Sequence, residues 1–153
     1  MFIASFRQGM SLSSHIPILL FDGCCPFCNF VVRIISRLDR HRDLRFAPIE
    51  SELGRGPIQR HSVFQSIDSA FLLYYDERDN ERIAAKSDML ALLADYISWP
   101  GKILLLPFKV IPNILGDWLY DAIARNRNRL FGRYESCPIP PKEWRSRFLS
   151  TKI

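Results

Sequence analysis

An apolar run, HIPILLF, ends at Asp22-Gly23, and three cysteines follow within five residues in the stretch FDGCCPFCNF from Phe21 to Phe30. No other feature restricts the fold as much. A short apolar run closed by Asp-Gly suits a buried strand entering a turn. Pro26 then fits the first position of a helix, where its missing N–H and fixed φ do no harm. Phe27, Phe30, Val31, Ile34, Ile35 and Leu38 recur at intervals of three and four, which predicts a helix with those residues on its apolar face. The motif Cys25-Pro26-Phe27-Cys28 therefore falls where a strand hands over to a helix.

That location gives the two sulfurs different prospects. At the helix N-cap, Cys25 would face unpaired N–H groups and the positive end of the helix dipole, so its thiol is expected to ionise below the ordinary value of ~8.5 and to act as the attacking sulfur. Cys28, about one turn deeper on nearly the same face, is expected to resolve a mixed disulfide. Asp22 precedes Cys25 by three residues. Its carboxylate either accepts or relays a proton during exchange or bonds N–H groups of the turn, and the sequence leaves both open. Cys24 is expected to pack as a small apolar residue, a redox role being the alternative, and Cys137, within ESCPIPP, to be a structural or exposed single cysteine, with folding back as an auxiliary thiol the alternative. A zinc site needs a second ligand pair, whereas His15, His41, His61 and Cys137 stand singly.

Further along, Leu44 to Ile49 reads as a second strand, parallel to the first through a right-handed crossover. Glu50 to Arg60 is ambiguous. Ala70 to Tyr75 and Glu81 to Ala85 form a hairpin across the polar turn Asp76 to Asn80. Ser87 is expected to cap a helix reaching Ile97, with Leu90, Leu93, Ala94 and Ile97 inward. A helix is expected from about Ile114 to Phe131, ended by Gly132, with Leu115, Trp118, Leu119, Ala122, Ile123 and Leu130 on its buried side. The tail from Arg133, with Pro138, Pro140 and Pro141, is expected to be extended and irregular. The predicted fold class is α/β, a thioredoxin-like β-α-β…β-β-α core with a C-terminal helical extension. Residues 1–14 are read as a loose leader, 15–98 as the redox domain, and 99–153 as the extension and basic tail packed on it.

Composition enters as a filter. With 153 residues, 48% hydrophobic and 24% charged, the chain can bury one sizeable core. Four cysteines and no evident signal peptide point to a reducing, cytoplasmic setting. The apolar stretch from Lys102 to Leu115 is broken by Pro107, Lys109 and Pro112, so no transmembrane segment is expected. From Arg125 to Phe148 seven basic residues face two acidic ones, which matches the whole formal charge of +5. A solvated helix face is the default for these arginines; contact with phosphates or anionic lipid is the alternative, and no nucleic-acid partner is expected.

The stretch ILLFDGCCPFC resembles the opening of the DCC family of thiol-disulfide oxidoreductase-like proteins, whose Asp-x-x-Cys-x-x-Cys pattern falls on Asp22, Cys25 and Cys28. LRFAPIES at Leu44 to Ser51, the Ser87-Asp88 helix start and LYDAIARNRNRLFGRYESCPIP at Leu119 to Pro140 are similar to the family's later segments. The resemblance implies a thioredoxin-like fold, dithiol-disulfide exchange with protein or low-molecular-weight thiol partners, and no obligatory bound cofactor. It also suggests that the arginines of Arg125-Asn126-Arg127-Asn128-Arg129, with Arg133, dock the extension onto the redox domain near the Cys25 sulfur. The Pro-Phe pair between the cysteines is similar to that of glutaredoxins, but HSVFQSIDS, from His61 to Ser69, has no proline where thioredoxins and glutaredoxins carry their cis-proline. The rival reading is a non-catalytic metal-binding or partner-binding module using the cysteine cluster and the basic tail.

Overall fold

Alternation of apolar side chains along short strands lets one sheet serve two cores. In the computed structural model, which describes residues 16–66, 69–138, 142 and 145–149, the strands are β1 (Ile18–Phe21), β2 (Arg45–Pro48), β3 (Phe71–Tyr75) and β4 (Glu81–Ala85). They form one sheet in the order β2-β1-β3-β4. β1 runs parallel to β2 and antiparallel to β3, and β3 pairs antiparallel with β4, with Leu19 opposite Phe46 and Leu72. Leu19, Phe21, Phe46 and Leu72 point to one face, and Leu20, Ala47 and Phe71 to the other.

Helices cover both faces. α1 (Pro26–Leu38) and α3 (Lys86–Leu93) belong to the larger core, through Val32, Ile35, Met89 and Leu93. α2 (Glu52–Arg60), capped by Ser51 accepting from the Gly54 N–H, lies on the other side with Ile58. Phe46 and Leu72 are fully buried, each contributing roughly 1.5–3 kcal/mol relative to exposure. The result is a mixed α/β architecture with a central sheet and flanking helices. Two helices follow, α4 (Gly101–Leu105) and α5 (Asn113–Phe131), separated by a 3₁₀ turn at Leu106–Lys109. Among the described residues no helix is long and apolar enough to cross a membrane.

Several expectations need correction. On α1 the buried residues are Cys28, Val32, Ile35 and Ser36, while Phe30 and Ile34 are exposed, so the inner face is rotated from the one the apolar spacing suggested. Ser87 is not the N-cap of α3; it lies in the first turn, and its N–H and hydroxyl both bond Asp117 of α5, which supplies the missing cap from another helix. The largest difference concerns α5. Leu115, Trp118, Leu119, Ile123 and Leu130 are exposed and Ala122 is half-buried, whereas Gly116, Ala124 and Arg127 are buried.

Polar anchors and close approach decide that orientation. Lys86 donates to Asp121, the Tyr120 hydroxyl accepts from the Ala70 N–H at 3.0 Å, and Gly116 lies so close to α3 that a Cβ there would come within 2.7 Å of Ser87 Cβ. These contacts turn the small-residue face inward and leave the apolar one outside. The tail also has more order than expected. Phe148 bridges to Phe46 at the free edge of β2, with Phe46 N–H donating to the Arg147 carbonyl and Leu149 N–H to the Phe46 carbonyl. The Phe148 ring stacks on Phe46 at 5.3 Å. The proposed leader at 1–14, His15, Pro140, Pro141 and Glu143 lie outside the described residues.

Candidate functional site

The turn between β1 and α1 is tied from several sides. The Asp22 carboxylate accepts the Cys24 N–H at 3.0 Å, Glu50 accepts the Gly23 N–H at 3.2 Å, and the Asn29 amide donates to the carbonyls of Gly23 and Cys25 at 2.7 and 2.9 Å. Cys25 is the N-cap of α1, in extended geometry, and Pro26 follows as the first helical residue. The Cys25 sulfur accepts the Cys28 N–H at 3.3 Å, using one of the donors a helix start leaves without a partner. Both sulfurs are free thiols and both are buried, Cys25 at 0% and Cys28 at 8% exposure.

Charge around Cys28 is arranged with opposing signs. Burial pushes its thiol up from the ordinary value, and so do a hydrogen bond shared with Cys25 and the negative charge of Asp22. Arg127 pulls the other way, its guanidinium donating to the Cys28 sulfur at 3.4 Å. The balance holds Cys28 as a protonated thiol. The same guanidinium stands 3.8 Å from Asp22, and Arg133 approaches the other oxygen of Asp22 at 3.8 Å. Glu50, adjacent to Asp22, has its carboxyl raised by burial and by that neighbour, against the lowering effect of the Gly23 N–H.

Asp22, Cys25 and Cys28 thus come together as one cluster. Cys24 and Cys137 do not behave as expected: they form a disulfide with each other. Cys137 reaches Cys24 because the chain after α5 folds back across the turn. Tyr134 N–H donates to the Cys24 carbonyl at 2.9 Å, and the Phe131 ring stacks on Phe27 at 5.1 Å. Of the arginines expected near the site, Arg127 reaches the Cys28 sulfur and Arg133 meets Asp22, while Arg125 and Arg129 are exposed. Glu50 and Asn29 were not foreseen from the sequence. What separates Arg127 from its neighbouring arginines is that Gly116, Tyr120, Ala124 and Arg127 recur at four, four and three and mark a second, smaller-residue face of α5. Among the described residues no three of His, Cys, Asp and Glu are grouped to hold a metal ion.

A family profile described as DCC1-like thiol-disulfide oxidoreductase matches residues 19–133. The chain belongs to the DCC1-like family. A chloroplastic DCC family protein of Arabidopsis thaliana is 33% identical over 123 residues, spanning 80% of this chain and 69% of the relative. The uncharacterized protein YuxK of Bacillus subtilis (strain 168) is 28% identical over 139 residues, spanning 90% of this chain and 98% of the relative. No solved structure matches the chain. Membership of the DCC1-like family supports a thiol-disulfide-related function. The expected cytoplasmic location does not stand: the Arabidopsis relative is a chloroplastic protein.

Proposed function

We propose that this DCC1-like chain is a dithiol-disulfide oxidoreductase acting on protein or low-molecular-weight disulfides. The observation that carries the reading is the Cys25 sulfur at the start of α1, accepting the Cys28 N–H, with both thiols free. Helix-end N–H groups and the dipole stabilise negative charge on a sulfur held there. The Cys25 thiolate attacks one sulfur of a substrate disulfide, forming a mixed disulfide and expelling the other substrate sulfur as thiolate. Cys28 then gives its proton to the first expelled substrate thiolate and attacks the Cys25 sulfur, closing the Cys25–Cys28 disulfide and releasing the second substrate sulfur as thiolate. Two electrons pass to the substrate, and an external thiol reductant restores the dithiol.

The surrounding residues have roles in this scheme. Arg127 stabilises the Cys28 thiolate as it forms, offsetting the burial that otherwise holds the proton. Asp22 positions the turn through the Cys24 N–H and pairs with Arg127, so it tunes the site by orientation and charge. The sheet order β2-β1-β3-β4, with β3 alone reversed, supports a thioredoxin-like arrangement in which the dithiol follows the first strand. We take 15–98 as the redox domain and 99–153 as its extension.

One observation favours the rival, non-catalytic reading: a nucleophile with 0% exposure cannot meet a substrate without some opening. Reduction of a peptide disulfide by wild type, Cys25→Ser and Cys28→Ser, with zinc content measured on the same samples, separates the two. Exchange predicts loss of turnover in Cys25→Ser and a trapped mixed disulfide in Cys28→Ser. Unchanged turnover in Cys25→Ser, or stoichiometric zinc without turnover in wild type, overturns it.

A further inference from the structure

The sulfurs of the site are unequally reachable. Cys25 and Cys28 are buried, whereas the disulfide partners Cys24 and Cys137 are each half-buried. The segment from Phe131 to Cys137 crosses the turn and is tied on both flanks of Cys25. Phe131 stacks on Phe27 after it; Arg133 meets Asp22, and Tyr134 N–H bonds the Cys24 carbonyl, before it. Three of these ties are weak individually: Arg133 and Phe131 are exposed, and a solvent-facing ion pair or a single hydrogen bond opens easily. The fourth tie, Cys24–Cys137, is covalent.

We propose that Cys24–Cys137 is a second redox-active disulfide, which locks this strap over the Cys25–Cys28 dithiol and, on reduction by an external dithiol, releases it to admit the substrate. This rests on the exchange reading and adds its regulation. One thiolate of the reductant attacks one sulfur of the pair, forming a mixed disulfide and expelling the other cysteine as thiolate. The second thiolate of the reductant closes the reductant's own disulfide and expels the remaining cysteine. The reductant loses two electrons, and the two cysteines gain them and take up two protons. A low-molecular-weight disulfide returns the lock by the reverse exchange, taking the two electrons and leaving as two thiols, so the dithiol is exposed only where reductant is available to regenerate it.

The test is the rate at which iodoacetamide alkylates Cys25, with the labelled site read by peptide fragmentation, which needs no turnover. It is compared in the protein as isolated, in protein reduced with dithiothreitol and freed of it, and in Cys137→Ser. A non-reduced digest containing a Cys24–Cys137 linked peptide, and alkylation faster by about tenfold or more once that bond is absent, support the lock. Equal rates in locked and reduced wild type, or no linked peptide, overturn it even if Cys137→Ser fails to fold. Turnover that is the same with and without the bond sinks the lock alone. Gated alkylation with no turnover in any form leaves the lock and sinks the exchange reading.

A separate observation concerns the outward face of the extension. Trp99, Leu104, Val110, Ile114 and Trp118 are exposed, Ile114 at 88%. From Trp99 to Tyr134 the sequence has two carboxylates, Asp117 and Asp121, and both are engaged by α3 residues, Ser87 and Lys86. Arg125 and Arg129 are exposed beside the apolar stripe. The exposed carboxylates that border it, Asp88 and Asp95, are held by Asn113 and Lys109, and indole, aliphatic and cationic groups together complement an anionic lipid surface. We infer that this face rests on anionic bilayers. The full chain should pellet with phosphatidylcholine vesicles containing phosphatidylserine, less so at high salt, and not with phosphatidylcholine alone; Leu104→Asp and Ile114→Asp should abolish pelleting. No pelleting with either vesicle, or a dimer by light scattering that those substitutions dissociate, overturns the inference.

Discussion

Removing the Arg127 charge should expose how the site is held together. Its guanidinium stands 3.8 Å from the Asp22 carboxylate, with side chains only 5% and 11% exposed. At that separation and an effective dielectric near 20 the attraction is about 4 kcal/mol. Desolvation of both ions offsets much of it, but breaking a buried pair strands the partner and typically costs about 3–5 kcal/mol. Arg133, still 3.8 Å from Asp22, softens the loss. Arg127→Met should therefore destabilise the fold by about 2–4 kcal/mol, and Asp22→Asn by about 1–2 kcal/mol. The double variant should lose less than the sum, with an interaction energy of about 1–3 kcal/mol. Urea unfolding followed by circular dichroism, with the Cys24–Cys137 bond intact throughout, gives all four corners of the cycle. Single effects that add within about 0.5 kcal/mol would show that Arg127 is there for packing alone.

Other outcomes follow from the same contacts. Arg147 is buried against Asp39 and also donates to the carbonyls of Ser36 and Leu44, so Arg147→Met should cost about 3–5 kcal/mol in urea unfolding by leaving the Asp39 carboxylate buried without its cation. At Gly54 a Cβ would lie 2.3 Å from the Pro48 carbonyl and 2.7 Å from Ile49 Cα, backbone atoms that cannot step aside; Gly54→Ala should unfold at distinctly lower urea than wild type. Glu50 keeps its proton longer in the folded than in the unfolded chain, because burial raises its carboxyl above 4.5. Its contribution is thus fully present below that value and is lost as pH rises through the folded value. Melting temperature against pH should fall less steeply over that window in Glu50→Gln, and parallel curves would refute the assignment.

Legibility in the sequence followed how local each determinant is. The β1–turn–α1 unit could be read because Pro26, the cap at Cys25 and the Asp-Gly turn act within a few residues of themselves. The β3–β4 hairpin was legible for the same reason, since Asp76 organises its turn through the N–H groups of Arg78 and Asn80. The face of α5 was not. Its apolar stripe and its small-residue stripe are both periodic, and what selects the second is Ser87, Lys86 and the Ala70 N–H, which lie far away in sequence. The Cys24–Cys137 bond spans 113 residues, and nothing near Cys24 announces its partner. Arg147 was hidden likewise, since a basic tail reads as solvated until Asp39, Ser36 and Leu44 are seen around it.

On the proposed exchange chemistry, Cys25 and Cys28 end each turnover bonded to each other. Protein reduced throughout, then given a limiting amount of a peptide disulfide and quenched in acid, can be digested without reductant and its sulfur linkages mapped by mass spectrometry. A Cys25–Cys28 bond appearing in step with the released peptide thiols is the predicted result. Release of those thiols while Cys25 and Cys28 remain unlinked would contradict it.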